Sequence, residues 1–151
     1  MQHSEIVKLI QGELSARLAG LTIITRHRAP SAQAGKATVL IGMRRVGKTF
    51  CLFRHIKALE SQGIPRDSIL FLNLEDDRLR LENVAELTNL IDQFYSDTPA
   101  NHSRHTVVML DEIQTLPGWE RVARRLVETA KCELWLTGSS AKMLSIEIKL
   151  P

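Results

Sequence analysis

Apolar positions along the chain change their period repeatedly, and the changes mark out alternating helices and strands. Ile6, Leu9, Ile10, Leu14 and Leu18 recur at helical spacing, which predicts an amphipathic helix over residues 4–18. Residues 25–35 have little periodicity and contain Pro30 and Gly35, so they read as a connector. The β-branched run Thr38-Val39-Leu40-Ile41 predicts a first strand, and a helix over 50–60 follows, closing near Gly63 with Pro65 beyond it as a stop signal. Residues 68–74 predict a second strand. Asn83, with Glu86 three residues on, predicts a capping box for a helix whose apolar face is Val84, Leu87, Ile91, Phe94 and Tyr95. A polar loop over 96–105 leads to a third strand over 106–110. After the turn Leu116-Pro117-Gly118, apolar residues from Trp119 to Ala130 predict a further amphipathic helix, with Arg121, Arg124 and Arg125 on a solvated face and an Arg124–Glu128 pair. Residues 132–137 predict a fourth strand.

Composition narrows the class without naming it. The 151 residues have the length of one domain, and 44% apolar with 25% charged residues is ordinary for a folded protein, which argues against disorder. No apolar run approaches the ~20 residues of a membrane helix. Met1-Gln2-His3-Ser4 also lacks the apolar stretch of a signal peptide, so a cytoplasmic protein with no membrane partner is expected. Cys51 and Cys132 lie in apolar segments and read as small core residues. His102 and His105 have no carboxylate or cysteine beside them in the chain and read as solvent-exposed rather than metal-binding. The net charge of +3 is scattered, so a nucleic-acid partner has mild basicity alone in its favour.

The chemistry begins after the first strand. Gly42-Met43-Arg44-Arg45-Val46-Gly47-Lys48-Thr49 fills the pattern G-x-x-x-x-G-K-T. Gly42 and Gly47 permit backbone angles that turn successive N–H groups toward anionic oxygens, Lys48 reaches β- and γ-phosphates, and Thr49 offers its hydroxyl to Mg²⁺. The helix that starts at Phe50 adds its positive N-terminal dipole to the same anion site. The alternative, a chance glycine-rich turn, does not account for a strand before the loop and a helix after it. The expected nucleotide-binding set is therefore Gly42, Met43, Arg44, Arg45, Val46, Gly47, Lys48, Thr49 and Phe50, with Lys48 also in a catalytic role.

Val107-Val108-Met109-Leu110 ends in Asp111-Glu112, a buried strand closing on two carboxylates, the form of the second motif of P-loop ATPases. Asp111 is expected to hold the Mg²⁺ shell opposite Thr49, and Glu112 to orient and deprotonate the attacking water. A carboxylate beside the metal ligand favours water as nucleophile, hence hydrolysis over transfer to a second substrate. At the end of the fourth strand, Thr137 or Ser139 is placed near the γ-phosphate as a polar sensor, with plain turn chemistry in Gly138-Ser139-Ser140 as the alternative. No Asn-Lys-x-Asp base-reading motif occurs, so ATP is expected over GTP.

These motifs together make the chain resemble the prokaryotic AAA-type ATPases whose P-loop domain precedes a C-terminal domain of unknown function. The resemblance runs through Gly42 to Thr49, Phe71-Leu72-Asn73-Leu74-Glu75-Asp76, Leu110-Asp111-Glu112-Ile113-Gln114, Pro117-Gly118-Trp119, and Thr137-Gly138-Ser139-Ser140 with Leu144-Ser145 beyond, covering most of residues 36–148. It implies a three-layer α/β P-loop fold with a mainly parallel sheet and an ATPase core over 36–151, to which the helix and connector read from periodicity add an N-terminal extension over 1–35. It also implies an ATP-dependent machine using ATP and Mg²⁺, with roles for Lys48, Thr49, Asp111, Glu112 and the Thr137/Ser139 region; a second copy of the chain, in a homo-oligomer, is a further candidate partner. Glu75 and Asp76 join the candidates because ligands gather at the carboxyl ends of strands in such sheets. Members of the family continue into an arginine-containing segment, a fifth strand and the C-terminal domain. The expected strand order 5-1-4-3-2 thus becomes 1-4-3-2 here, with β1 at an edge open to self-association. An arginine supplied from downstream or in trans is worth ~10³–10⁵ in rate, so hydrolysis by this chain is expected to be slow. Two other functions fit the same residues: a nucleotide-binding but hydrolytically silent interaction module, and a DNA-associated motor.

Overall fold

The computed structural model describes residues 3–21, 37–41, 47–130 and 132–139. Helix α1 (His3–Ala19) is followed by strand β1 (Ala37–Ile41), helix α2 (Lys48–Ser61), strand β2 (Ile69–Asn73), helix α3 (Val84–Asp97), strand β3 (Val107–Asp111), helix α4 (Trp119–Arg125) and strand β4 (Glu133–Gly138). The strands form a single parallel sheet in the order β1-β4-β3-β2, as the resemblance implies. Parallel neighbours need long crossovers, and the helices between the strands supply them. Among the described residues, no helix is long and apolar enough to cross a membrane.

Because successive strand residues face opposite sides, the sheet sorts its apolar side chains into two cores. Leu70, Leu72, Val108, Leu110, Leu134 and Leu136 pack beneath α3 and α4. Ile69, Phe71, Val107, Met109 and Trp135 pack beneath α2, joined by Leu14 and Leu18 of α1. Both faces of the sheet are therefore covered, which is why β2, β3 and β4 are nearly unbroken apolar runs rather than alternating ones. β1 is less enclosed: Ala37 to Leu40 are half-buried and Ile41 is 45% exposed.

At the opposite edge, β2 is closed by side chains. Gln11 of α1 donates from Nε2 to Phe71 O (2.5 Å) and accepts from Phe71 N–H at Oε1 (3.3 Å), doing for one residue what a further strand would do. Arg66 Nη1 adds a bond to Ile69 O at 3.0 Å.

Helix ends follow local chemistry. α2 closes in a Schellman arrangement, with Gly63 at φ 86°, Gly63 N–H bonded to Glu60 O and Ile64 N–H to Leu59 O, each at 3.0 Å. Asn83 caps α3 by accepting from Glu86 N–H at 3.1 Å, but the Glu86 carboxylate turns to Glu82 N–H at 2.6 Å instead of completing the expected box with Asn83. The helix starting at Trp119 is α-helical only to Arg125 and continues as a π-helical turn, Leu126–Ala130, which departs from the uniform helix that periodicity predicts. Its ion pair also differs from expectation, joining Arg125 to Asp92 of α3 at 3.4 Å rather than Arg124 to Glu128.

Candidate functional site

The carboxyl ends of β3 and β4 and the start of α2 converge. Gly47 precedes α2 with φ 87°, a left-handed angle that a side chain would strain, and it brings the chain into the helix so that Lys48 and Thr49 occupy the first turn. Gly42, Met43, Arg44, Arg45 and Val46 lie outside the described residues.

Thr49 Oγ1 donates to Asp111 Oδ2 at 2.7 Å, so the helix after the glycine-rich segment and the end of β3 meet through the hydroxyl and the carboxylate expected to share a metal ion. Thr137 Oγ1 donates to Asp111 Oδ1 and accepts from the Glu112 N–H at 2.9 Å. Asp111 is 1% exposed, and burial pushes its carboxyl above the usual range; hydrogen bonds from Thr137 and Thr49 and the Lys48 ammonium oppose the rise, while the Glu112 charge adds to it.

Glu112 stands just past the strand in a left-handed conformation (φ 56°, ψ 48°), uncommon for a residue with a side chain. Such angles cost on the order of 1–3 kcal/mol and persist where the surroundings impose them. Here the Thr137 hydroxyl holds the Glu112 N–H, Thr115 Oγ1 holds its carbonyl at 3.0 Å, and Gln114 Nε2 donates to its Oε2 at 2.6 Å. Lys48 Nζ lies 3.6 Å from Glu112 Oε1 and donates to Gly138 O at 2.8 Å, which ties the start of α2 to the end of β4.

Sequence reasoning assigns no role to Gln114, although it lies in the Leu110-Asp111-Glu112-Ile113-Gln114 run. Its spacing of two from a carboxylate at a strand end is the available signal. Thr137 is fully buried, and its one hydroxyl proton is committed to Asp111. Ser139, half-buried, follows Gly138 at the end of β4.

Of the remaining candidates, Asp76 shares a small notch with Thr49 and Asn73. Asp76 is held by Arg78 through Nε at 3.0 Å and Nη2 at 2.8 Å, and Glu75 is exposed with its N–H on Asn73 Oδ1 at 3.0 Å. His105 is not merely solvated: its Nε2 lies 2.8 Å from Glu133 Oε2. Glu133, at the opposite end of β4, is also bonded by His55 Nε2 at 2.5 Å and Trp135 Nε1 at 2.8 Å. Burial works against its charge, but these hydrogen bonds prevail and hold its carboxyl down at about 2. Cys132 is fully buried, whereas Cys51 is only half-buried.

Beside the Lys48–Thr49–Glu112 group lies a cavity of about 560 Å³, bounded on one side by Gly47, Phe50 and Phe53 and on the other by the last turn of α1, including Arg17. That the N-terminal helix forms a wall of this cavity is a second feature that the sequence does not announce. An apolar groove of about 420 Å³ between α1 and α3 lies away from these residues.

Residues 34–150 match a family model described as an AAA domain. An uncharacterized protein of Haemophilus influenzae is 30% identical over 111 residues, covering 73% of this chain and 27% of that protein. An uncharacterized protein of Methanocaldococcus jannaschii is 34% identical over 113 residues, covering 75% of this chain and 23% of that protein. The chain thus spans about a quarter of the length of these curated relatives.

Proposed function

The chain belongs to the AAA domain family, and on that premise we propose that it binds Mg·ATP at the start of α2 and hydrolyses it, with residues 36–151 as the ATPase core and 1–35 as an N-terminal helix and connector. The observation that carries the proposal is the Thr49–Asp111 bond of 2.7 Å with Lys48 Nζ 3.6 Å from Glu112 beside it. A hydroxyl and a carboxylate held together are the hard oxygen donors that Mg²⁺ takes in nucleotide sites, and the adjacent ammonium suits phosphate. The donor set therefore fits the ion.

Thr49 and Asp111 would hold Mg²⁺, which supplies charge neutralisation at the phosphates. Lys48 exchanges its contact with Gly138 O for phosphate oxygens. Glu112 accepts a proton from the attacking water, with Gln114 fixing one carboxylate oxygen so that the other, Oε1, faces Lys48 and the cavity. Thr137 ties the Asp111 carboxylate to the Glu112 backbone rather than meeting a phosphate, because phosphate oxygens accept hydrogen bonds and its proton is already given to Asp111. Ser139 is then the polar residue of β4's end left to meet the γ-phosphate. The likeness to AAA domains and the cluster at the strand ends both favour catalysis over a purely structural role.

The test is calorimetric titration of the full chain with ATP in Mg²⁺ and in EDTA, followed by phosphate release. Magnesium-dependent binding with magnesium-dependent phosphate release is expected. Binding without any release would leave a silent nucleotide module, and no binding would remove the assignment altogether.

A further inference from the structure

Helix α1 is fastened against the candidate site. Leu14 and Leu18 are buried in the core beneath α2. Lys57 of α2 donates from Nζ to Leu18 O at 2.8 Å and to Leu21 O at 3.0 Å, placing a cation at the end of α1, where unpaired carbonyls and the helix dipole favour one. Arg78, beyond β2, forks onto Glu13, with Nη1–Oε1 at 2.8 Å and Nη2–Oε2 at 2.9 Å. These contacts fix the position of the last turn of α1, and that turn carries Arg17.

Arg17 and Arg78 both approach the site, and their surroundings separate them. Arg78 is consumed by Glu13 and Asp76. Arg17 makes no ion pair among the described residues, even though Glu13 lies one turn before it, because that carboxylate already faces Arg78. Instead the Arg17 guanidinium lies 5.3 Å from the centroid of Phe53, a contact that steadies it without occupying its N–H groups. It borders the cavity containing Lys48, Thr49 and Glu112, and also the adjoining notch of about 80 Å³ where Thr49 meets Asn73 and Asp76. A planar, exposed guanidinium at the mouth of a phosphate cavity presents the donor geometry that phosphate oxygens match.

We propose that Arg17 is a phosphate-binding residue supplied in cis by α1, contacting the terminal phosphate of the nucleotide. The inference rests on the proposed function and deepens it. The terminal phosphate is singled out because Arg17 shares its cavity with Glu112, and the group that a water-activating carboxylate must adjoin is the phosphate being removed. Lys48 spans the terminal and preceding phosphates, whereas Arg17 approaches from the α1 side. Arg17 therefore adds to the discrimination between ATP and ADP.

Affinities of Mg·ATP and Mg·ADP, measured by calorimetry for wild type, Arg17→Ala, Arg17→Lys and Lys48→Ala, test this. Arg17→Ala should lose about 10–100-fold in affinity for Mg·ATP, the range of a charge-assisted hydrogen bond, while Mg·ADP binding stays unchanged. Arg17→Lys, which keeps the charge but not the fork, should recover part of the loss. Lys48→Ala should weaken both nucleotides. If Arg17→Ala binds Mg·ATP like wild type while Lys48→Ala does not, or if it loses both nucleotides equally, the role of Arg17 is overturned and the site stands. If wild type binds no Mg·ATP, the proposed function itself fails, and Arg17's role with it.

Discussion

Thr49 Oγ1 and Asp111 Oδ2 lie 2.7 Å apart although 62 residues separate them in the chain. The bond joins the first turn of α2 to the end of β3, and Thr137 secures the other carboxylate oxygen from β4. Asp111→Asn keeps the shape but removes the charge that a divalent cation requires. It should abolish the difference between ATP affinity in Mg²⁺ and in EDTA while leaving magnesium-independent binding in place. Titration of both forms checks this, and an undiminished magnesium effect would move the metal ligand elsewhere.

Glu112→Gln should retain ATP affinity and lower phosphate release by ~10²–10⁴, the usual loss for a missing general base. Gln114→Ala should lower release by a smaller factor, because it frees the carboxylate to rotate without removing it. Single-turnover phosphate release measures both. Wild-type rates in Glu112→Gln would assign water activation to another group.

The Glu133 cluster predicts an acid-sensitive fold. A carboxyl held at about 2 against an unperturbed 4.5 stabilises the folded state above the unfolded value, and the contribution is lost as pH falls through the folded one. The shift corresponds to about 3 kcal/mol at most. The stability difference between wild type and Glu133→Gln should therefore be largest at neutral pH and shrink between about pH 4.5 and about pH 2. Urea unfolding across that window measures it; a constant difference would mean that the His55, Trp135 and His105 contacts do not favour the charged form.

Gln11 closes the exposed edge of β2, so Gln11→Leu leaves the Phe71 N–H and C=O without partners. A cost of ~1–3 kcal/mol is expected, the penalty for unsatisfied backbone groups. The midpoint of urea unfolding reads it directly, and an unchanged midpoint would show that water replaces the side chain at that edge.

The strands and the candidate site residues are legible in the sequence because they are local patterns. The β-branched run at 38–41, the G-x-x-x-x-G-K-T segment and an apolar strand ending in Asp111-Glu112 each declare themselves within a few residues. Element ends slide by a residue. β3 begins at Val107, one residue late, although the Thr106 carbonyl still accepts the Glu133 N–H while its hydroxyl turns to Tyr95. The π-helical turn is invisible because apolar spacing over Leu126–Ala130 suits either winding. Least legible are contacts made only by folding. His55 and Glu133 are 78 residues apart, and nothing in the segment around Arg17 announces that α1 ends beside Lys48. Residues 42–46 of the expected phosphate loop lie outside the described structure, so their part in binding rests on their pattern and on Gly47, Lys48 and Thr49 next to them.

The central claim, that Lys48 anchors a nucleotide bound at the start of α2, is tested most directly by thermal unfolding with and without Mg·ATP. Ligand at 100 times its dissociation constant should add about 2.7 kcal/mol of stability to the wild-type chain if it binds the folded state alone. Lys48→Ala should show little or none of that gain at the same concentration. Equal stabilisation of the two proteins would contradict the account.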